Sequence, residues 1–425
     1  MQNLFASAAR RLVPIARAAA GPFDKLRVSG GRPAQSGWLH GWMFGECVAM
    51  GTAINVELWC DEASRGRAAI DAVMAEMHRI DAAMSPVKPA SELARINREA
   101  GSHAVPLSAE MFGLLERALL FSRLSRGAFD ISFAAAGNLY DWREGVAPDD
   151  AALNTARAAI DWRAIELDAR THSIRFARPG MRIDLGGFAK GHAVDNAARI
   201  VVERFGIEHA LVSAGGDSRA IGDKRGRPWS IAVRDPRDAN GIVAVLPLED
   251  CSISTSGDYE RGFVRADGQR VHHILDPRTG RSACSARSVT VLGPDGLTTE
   301  ALSKTIFVLG VEEGFAILDT VPGTDAVVVD AQGVLHHSRG LLEPQPVRAE
   351  PHHVLAEPQP VRPEVSKGRA EVSKHVGARA DMPFDTSGRT AGGSGQTASG
   401  SRQTDWGSEQ TAEPSRPEHN RETTA

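Results

Sequence analysis

Little in this chain ties it to nucleic acid, to a membrane or to a disulfide framework. The formal net charge is only -4 and no strongly basic stripe appears, which argues against a nucleic-acid protein. There are four cysteines, Cys47, Cys60, Cys251 and Cys284, and none forms a C-x-x-C pair. A zinc site is therefore not indicated, and reduced thiols are expected in preference to disulfides. No segment reaches the roughly 18 apolar residues of a membrane span. Near the N-terminus Arg10, Arg11 and Arg17 flank Leu12-Val-Pro-Ile-Ala, which Pro14 interrupts. A secretory signal needs a continuous apolar region of about 7–15 residues. Cys47 follows Phe44-Gly-Glu, so no lipoprotein-type site is seen. These absences favour the cytoplasm over the periplasm. What remains is an ordinary globular composition, 42% hydrophobic and 24% charged.

Both ends differ from the middle. Residues 1–40 read as a low-complexity extension. In 341–425 the apolar pattern stops and short motifs recur: Glu343-Pro-Gln-Pro-Val-Arg348 returns at Glu357–Arg362, and Glu364-Val-Ser-Lys367 at Glu371–Lys374. Too few apolar groups are present to offset the entropy of ordering, so a disordered tail is expected. The repeats are too short and too few for a solenoid. That leaves one body, 41–340.

Within it, Cys47–Trp59 reads as a strand, with Gly51 as a bulge or close backbone approach. Ile70, Val73, Met77, Ile80 and Met84 mark one face of a helix that Pro86 ends. Ser91–Asn97 is a short helix, and Ser108 caps the next. Asp149 and Asp150 start a helix through Ile160. Ile165–Leu167 and Ser173–Phe176 form a hairpin. Strands are expected at 181–184, 210–213, 229–233, 242–246, 288–292 and 326–329, and helices at 194–205 and 301–309. Helices and strands mix without strict alternation, which fits an α+β body in two lobes better than a doubly wound sheet.

The body is organised around Asp184-Leu-Gly-Gly-Phe-Ala-Lys-Gly-His-Ala-Val-Asp195. The paired glycines Gly186 and Gly187 stand where a helix begins. Free N–H groups and the positive dipole end suit an anion there. Lys190 falls in the first turn, where a cation is unfavourable beside the dipole, so a negatively charged ligand would explain it. A tight turn with a solvent-facing Lys accounts for the same residues.

Further stretches follow in order: Met50-Gly-Thr52, Ser85 with Ser91–Asn97, Gly127-Ala-Phe-Asp130, Ala214-Gly-Gly-Asp217, Ser254-Thr-Ser-Gly-Asp-Tyr259, His273-Ile-Leu-Asp-Pro-Arg-Thr-Gly280 and Glu300-Ala-Leu302. Together with 184–191, over about 48–335, the set resembles the ApbE-type flavin transferases. That resemblance implies transfer of FMN from FAD to a Ser or Thr hydroxyl of an acceptor flavoprotein, with release of AMP and assistance from Mg²⁺. A membrane redox subunit is one class of acceptor. It implies that Met50, Ala128, Phe129, Asp130, Asp184, Lys190 and Ile274 line the FAD site. It further implies that the Gly187 carbonyl, Glu300 and position 304 face the metal. Glu300 and His273 are the candidate catalytic residues, although local hydrogen bonds in a loop also account for His272 and His273.

Three positions depart from the family pattern. Val87 stands where the family has Tyr, Glu300 where it has Asp, and Lys304 where it commonly has Thr. Residues 300 and 304 share a helical face, so Lys304 can pair with Glu300 and bring an ammonium to the metal position. Mg²⁺ takes oxygen ligands, and Lys offers none. Besides active transfer, two readings therefore stay open: a flavin-binding relative with lost or reduced transfer, and an FAD pyrophosphatase yielding FMN and AMP.

Overall fold

Eight strands form one antiparallel sheet whose spatial order repeats the chain order. They are Trp42–Ala49, Thr52–Trp59, Ala210–Ala214, Asp217–Ile221, Ser252–Gly257, Ala286–Gly293, Asp325–Asp330 and Leu335–His337. This computed structural model describes residues 13–14, 41–238, 240–265 and 268–342. The expected terminal extensions lie outside the described residues, apart from 13–14 and 341–342, which pair as short parallel strands. Within the body the expected α+β architecture is present.

Hydrophobic pattern explains both faces of the sheet. One face carries the helices Ala63–Met84, Ala189–Arg199 and Gly296–Leu309. Their buried stripes, such as Ile70, Val73, Met77 and Ile80, meet Ile54, Val56, Val212 and Val291 from the strands. The other face is covered by the hairpin Trp229–Arg234 and Ile242–Leu248, which packs Trp229, Val233 and Leu246 on Ile253, Leu292 and Val327. The long insertion between Trp59 and Ala210 builds the second lobe. It holds the helices Glu92–Glu99 and Ala109–Leu124 and a small sheet of Val105–Pro106, Ile165–Asp168 and Ser173–Phe176. One continuous core runs through both lobes.

The caps fall where the side chains suggested. The Ser108 hydroxyl accepts the Met111 N–H at 3.1 Å, and the Asp149 carboxylate accepts that of Ala152 at 2.7 Å. Two local expectations are corrected. Gly51 does not bulge a single strand: Met50 and Gly51 form a two-residue hairpin turn at φ 53° and 68°, with Ala49 paired to Thr52. Both central residues of such a turn need positive φ, which is why a glycine occupies one of them. Segment 181–184 is not a strand. Its backbone is taken up instead by the Asn97 side chain, which accepts the Ile183 N–H at 2.8 Å and donates to the Ile183 carbonyl at 2.9 Å. A side-chain amide thus replaces a neighbouring strand and holds the approach to the glycine turn.

Candidate active site

The helices Ala189–Arg199 and Gly296–Leu309 cross with almost no space between their backbones. A Cβ on Gly191 would lie 2.3 Å from the Gly296 carbonyl oxygen. This closeness lets each helix cap the other. Asp195 accepts the Gly296 N–H at 2.8 Å and the Leu297 N–H at 3.3 Å, both from the first turn of the second helix. Glu300 accepts the Gly191 N–H at 2.8 Å, from the first turn of the first helix. Each carboxylate satisfies N–H groups that have no partner within their own helix and meets a positive dipole end.

Burial pushes the Asp195 carboxyl up to about 6, the nearby charge of Asp295 adds to this, and the Gly296 N–H opposes it. The sign for stability follows. An acid whose value rises on folding contributes stability below its unfolded value, 3.8 for Asp, and that contribution fades as pH rises to about 6. Asp195→Asn keeps an acceptor and removes the titration. Wild-type stability measured against this variant by urea unfolding is expected to fall from pH 4 to pH 6 and stay level above. A difference that is flat across this range would show that Asp195 ionises normally.

Glu300 is fully buried, and its second oxygen receives two ammonium groups. Lys190 reaches it directly, and Lys304 lies 3.4 Å away, as the spacing of four predicted. Lys190 also bonds Asp217 at 3.1 Å and the Gly186 carbonyl at 3.1 Å. Burial alone lowers a lysine, but here the attraction of Asp217 and Glu300 outweighs it and holds Lys190 above its ordinary value. The anion that a cation in this helix turn calls for is thus supplied in the structure by two carboxylates of the protein. Asp217 is in turn held by the Ser254 hydroxyl at 2.6 Å. Ser303 joins Ser254 at 3.3 Å and Ser256 at 2.8 Å. Burial pulls Lys304 below the usual lysine range, against the pull of Glu300.

Around this cluster the structure gathers most of the residues singled out from sequence. The Lys304 stem lies over Gly187, where a Cβ would be 3.6 Å from Lys304 Cε. Asp184 accepts the Gly186 N–H, and its own N–H donates to the Ile131 carbonyl at 2.9 Å. Burial raises the Asp184 carboxyl, opposed by that Gly186 bond and by the charges of Lys190 and Arg261. Burial and the charge of Lys304 push His273 down to about 3, so its ring is neutral. Its Nδ1 stands 3.3 Å from the Arg261 carbonyl. Arg261 donates to the Gly51 carbonyl at 3.0 Å and so fastens the Met50–Gly51 turn to the same rim.

Other candidates turn inward. Phe129 packs against Phe121 and Phe188, with ring centroids 6.3 and 5.7 Å away, and Ala128 and Ile274 are buried. Asp130 caps its own turn, accepting from Ser132 N–H at 2.8 Å and Trp162 N–H at 3.0 Å. His272 is buried with Nε2 2.9 Å from the Ala283 carbonyl, while its Nδ1 has no hydrogen-bond partner among the described residues, so local bonds satisfy only half of the ring. Val87 is 82% exposed. Four residues were not singled out as site residues: Asp217, Ser254, Arg261 and Asp195. The first two stood inside quoted motifs, after a glycine pair and within a hydroxyl-rich strand. Asp195 closed the quoted stretch 184–195 without being given a role, and nothing local marks Arg261.

The resemblance implies Mg²⁺ at Gly187, Glu300 and position 304. Mg²⁺ needs near-octahedral oxygen ligation. Here both Glu300 oxygens and Asp217 are engaged by N–H, ammonium or hydroxyl groups, and position 304 carries an ammonium. Among the described residues no group of three or more His, Cys, Asp or Glu is placed to hold a metal ion. As folded, these residues do not fit the ion.

Comparison with known proteins places this geometry. Residues 50–328 match the model of the ApbE family. An FAD:protein FMN transferase of Treponema pallidum is 33% identical over 70% of this chain and 86% of its own length. One from Klebsiella pneumoniae is 33% identical over 66% and 87%. Among solved structures, the ApbE protein of Thermotoga maritima superposes with a TM-score of 0.65 at 31% identity, covering 70% of this chain and 97% of that one. The flavin transferase ApbE of Vibrio cholerae gives 0.62 at 28% identity, covering 70% and 98%. The match spans both lobes, the glycine turn and the lysine–carboxylate cluster, and this chain belongs to the ApbE family.

Proposed function

We propose that this chain is an FAD:protein FMN transferase. The observation that carries the reading is the family match over 50–328, which encloses the glycine turn and both lysines that converge on Glu300. The reaction joins a Ser or Thr hydroxyl oxygen of an acceptor flavoprotein to the FMN-side phosphorus of FAD. The anhydride P–O bond breaks, AMP leaves with its electron pair, and the hydroxyl proton is lost. Such a transfer needs charge neutralisation and alignment more than covalent help from the protein. The cluster offers ammonium groups in a largely water-excluded place, where their field is strongest. Neutral His273 on the rim is in the form that accepts a proton, and the arriving negative charge would raise its basicity. The backbone at 186–187 and the Met50–Gly51 turn supply the walls against which the dinucleotide is aligned. Among the described residues no helix is long and apolar enough to cross a membrane.

The test is incubation of the full chain with FAD and a membrane extract, following AMP by chromatography and flavin fluorescence on denaturing gels. AMP release together with a fluorescent band that survives denaturation is the expected result. AMP and free FMN without a labelled band would replace the reading with an FAD pyrophosphatase. FAD binding without AMP would leave a flavin-binding relative.

A further inference from the structure

We propose that Lys304, not Lys190, is the cation that contacts the FAD pyrophosphate, and that its ammonium supplies there the charge for which the resemblance implies a magnesium ion. This rests on the reading of the chain as an FAD-cleaving enzyme.

A lysine ammonium has three N–H groups and no acceptor. Lys190 is engaged on three sides by the protein: it donates to the Gly186 carbonyl and to Glu300 and forms an ion pair with Asp217 at 3.1 Å. Lys304 makes one hydrogen bond among the described residues, a long one of 3.4 Å to Glu300. Its side chain is 19% exposed, as is that of Lys190, so the donor count and not exposure separates the two. Two of its donors therefore have no hydrogen-bond partner among the described residues. An anion arriving at the glycine turn would satisfy both. The stem is already aimed there, lying over Gly187. Lys190 cannot turn to a ligand without leaving Asp217 with no cation and Glu300 with only the 3.4 Å contact to Lys304. Lys304 can, because Lys190 and the Gly191 N–H still hold Glu300.

The consequence for the chemistry is specific. The oxygen–phosphorus bond to the acceptor forms as its hydroxyl proton passes to solvent, and the anhydride bond breaks with its electron pair leaving on AMP, while Lys304 neutralises the pyrophosphate oxygens. No divalent ion is required at Gly187, Glu300 and position 304. Lys304 is then a catalytic residue, and Lys190 a positioning residue that keeps Glu300 and Asp217 in place.

The experiment uses the full chain in two assays. FAD and riboflavin binding are measured by fluorescence in EDTA. AMP release is measured in EDTA and across a magnesium titration. Lys304→Met is expected to bind FAD roughly 10- to 100-fold more weakly, the range for a lost charge-assisted contact, and to bind riboflavin as the wild type does. Wild type is expected to release AMP in EDTA, with the rate changing less than about twofold on adding Mg²⁺, because its cation is covalently attached. Lys304→Arg keeps metal-free cleavage. Lys304→Thr loses it and regains it with Mg²⁺. Wild-type activity that EDTA abolishes, or Lys304→Met with unchanged FAD affinity, overturns the proposal. If no condition yields AMP but Lys304→Met still loses FAD affinity selectively, the contact stands and the transferase reading fails instead.

Discussion

Glu300→Gln is expected to destabilise the protein by about 3–5 kcal/mol, the usual cost of leaving a buried charge without its partner. For a body of this size that is a fall in Tm of roughly 10 °C. Glu300 is fully buried and sits between two ammonium groups. A glutamine keeps an acceptor for the Gly191 N–H but removes the negative charge. Lys190 then retains Asp217, while Lys304 loses its one carboxylate. The cluster goes from two cations and two anions to two cations and one anion. Removing the surplus cation separates charge from shape. The double variant Glu300→Gln with Lys304→Met is expected to recover at least half of the loss, because two neighbours on one helix face share one interaction and their effects are not additive. Urea unfolding of the four proteins in this cycle reads the coupling directly. A single-variant loss under about 1 kcal/mol, or no recovery in the double variant, would mean that Lys304 does not depend on Glu300 for its charge balance.

That cluster also shows where the sequence could and could not be read. Local signals were legible. Ser108 and Asp149 cap helices because the group that they satisfy lies three residues along the chain. The pairing of Lys304 with Glu300 followed from helical spacing alone. The glycine turn and its lysine were recognised as belonging to a charged site for a sound reason, that a cation in a first helical turn needs an anion. Which anions the folded chain supplies was not legible, since Asp217 and Glu300 come from a different strand and a different helix. The same limit hid the role of 181–184. The residue that satisfies its backbone is Asn97, which lies 86 positions away in sequence. It hid Asp195 too, whose partners belong to another helix. The Met50–Gly51 hairpin turn was missed because methionine rarely adopts positive φ, and nothing in its identity announces that it does here. The fold was thus readable as a set of elements and a family likeness, while the site was readable as a list of residues without its wiring.

The last expectation concerns the crossing that makes the wiring possible. Gly191→Ala is expected to cost about 3–5 kcal/mol, above the usual penalty of 1–3 for overpacking. The added methyl would stand 2.3 Å from the Gly296 oxygen and 2.5 Å from its carbonyl carbon, and both are backbone atoms that no rotamer can move. The helices must separate. Separation lengthens the bond from Glu300 to the Gly191 N–H and those from Asp195 to the Gly296 and Leu297 N–H groups, each a charge-assisted cap worth more than a neutral hydrogen bond. It also draws Glu300 away from Lys190, so AMP release from FAD should fall further than the loss of folded protein explains. Gly113→Ala is the control. It lies on an exposed helix face with nothing within 4 Å of the added Cβ, and should gain about 0.5–1 kcal/mol from helix propensity. Thermal and urea unfolding of both variants decide the matter. If Gly191→Ala is as benign as Gly113→Ala, the two helices are not locked at this point, and the reciprocal capping by Asp195 and Glu300 does not hold the active site together.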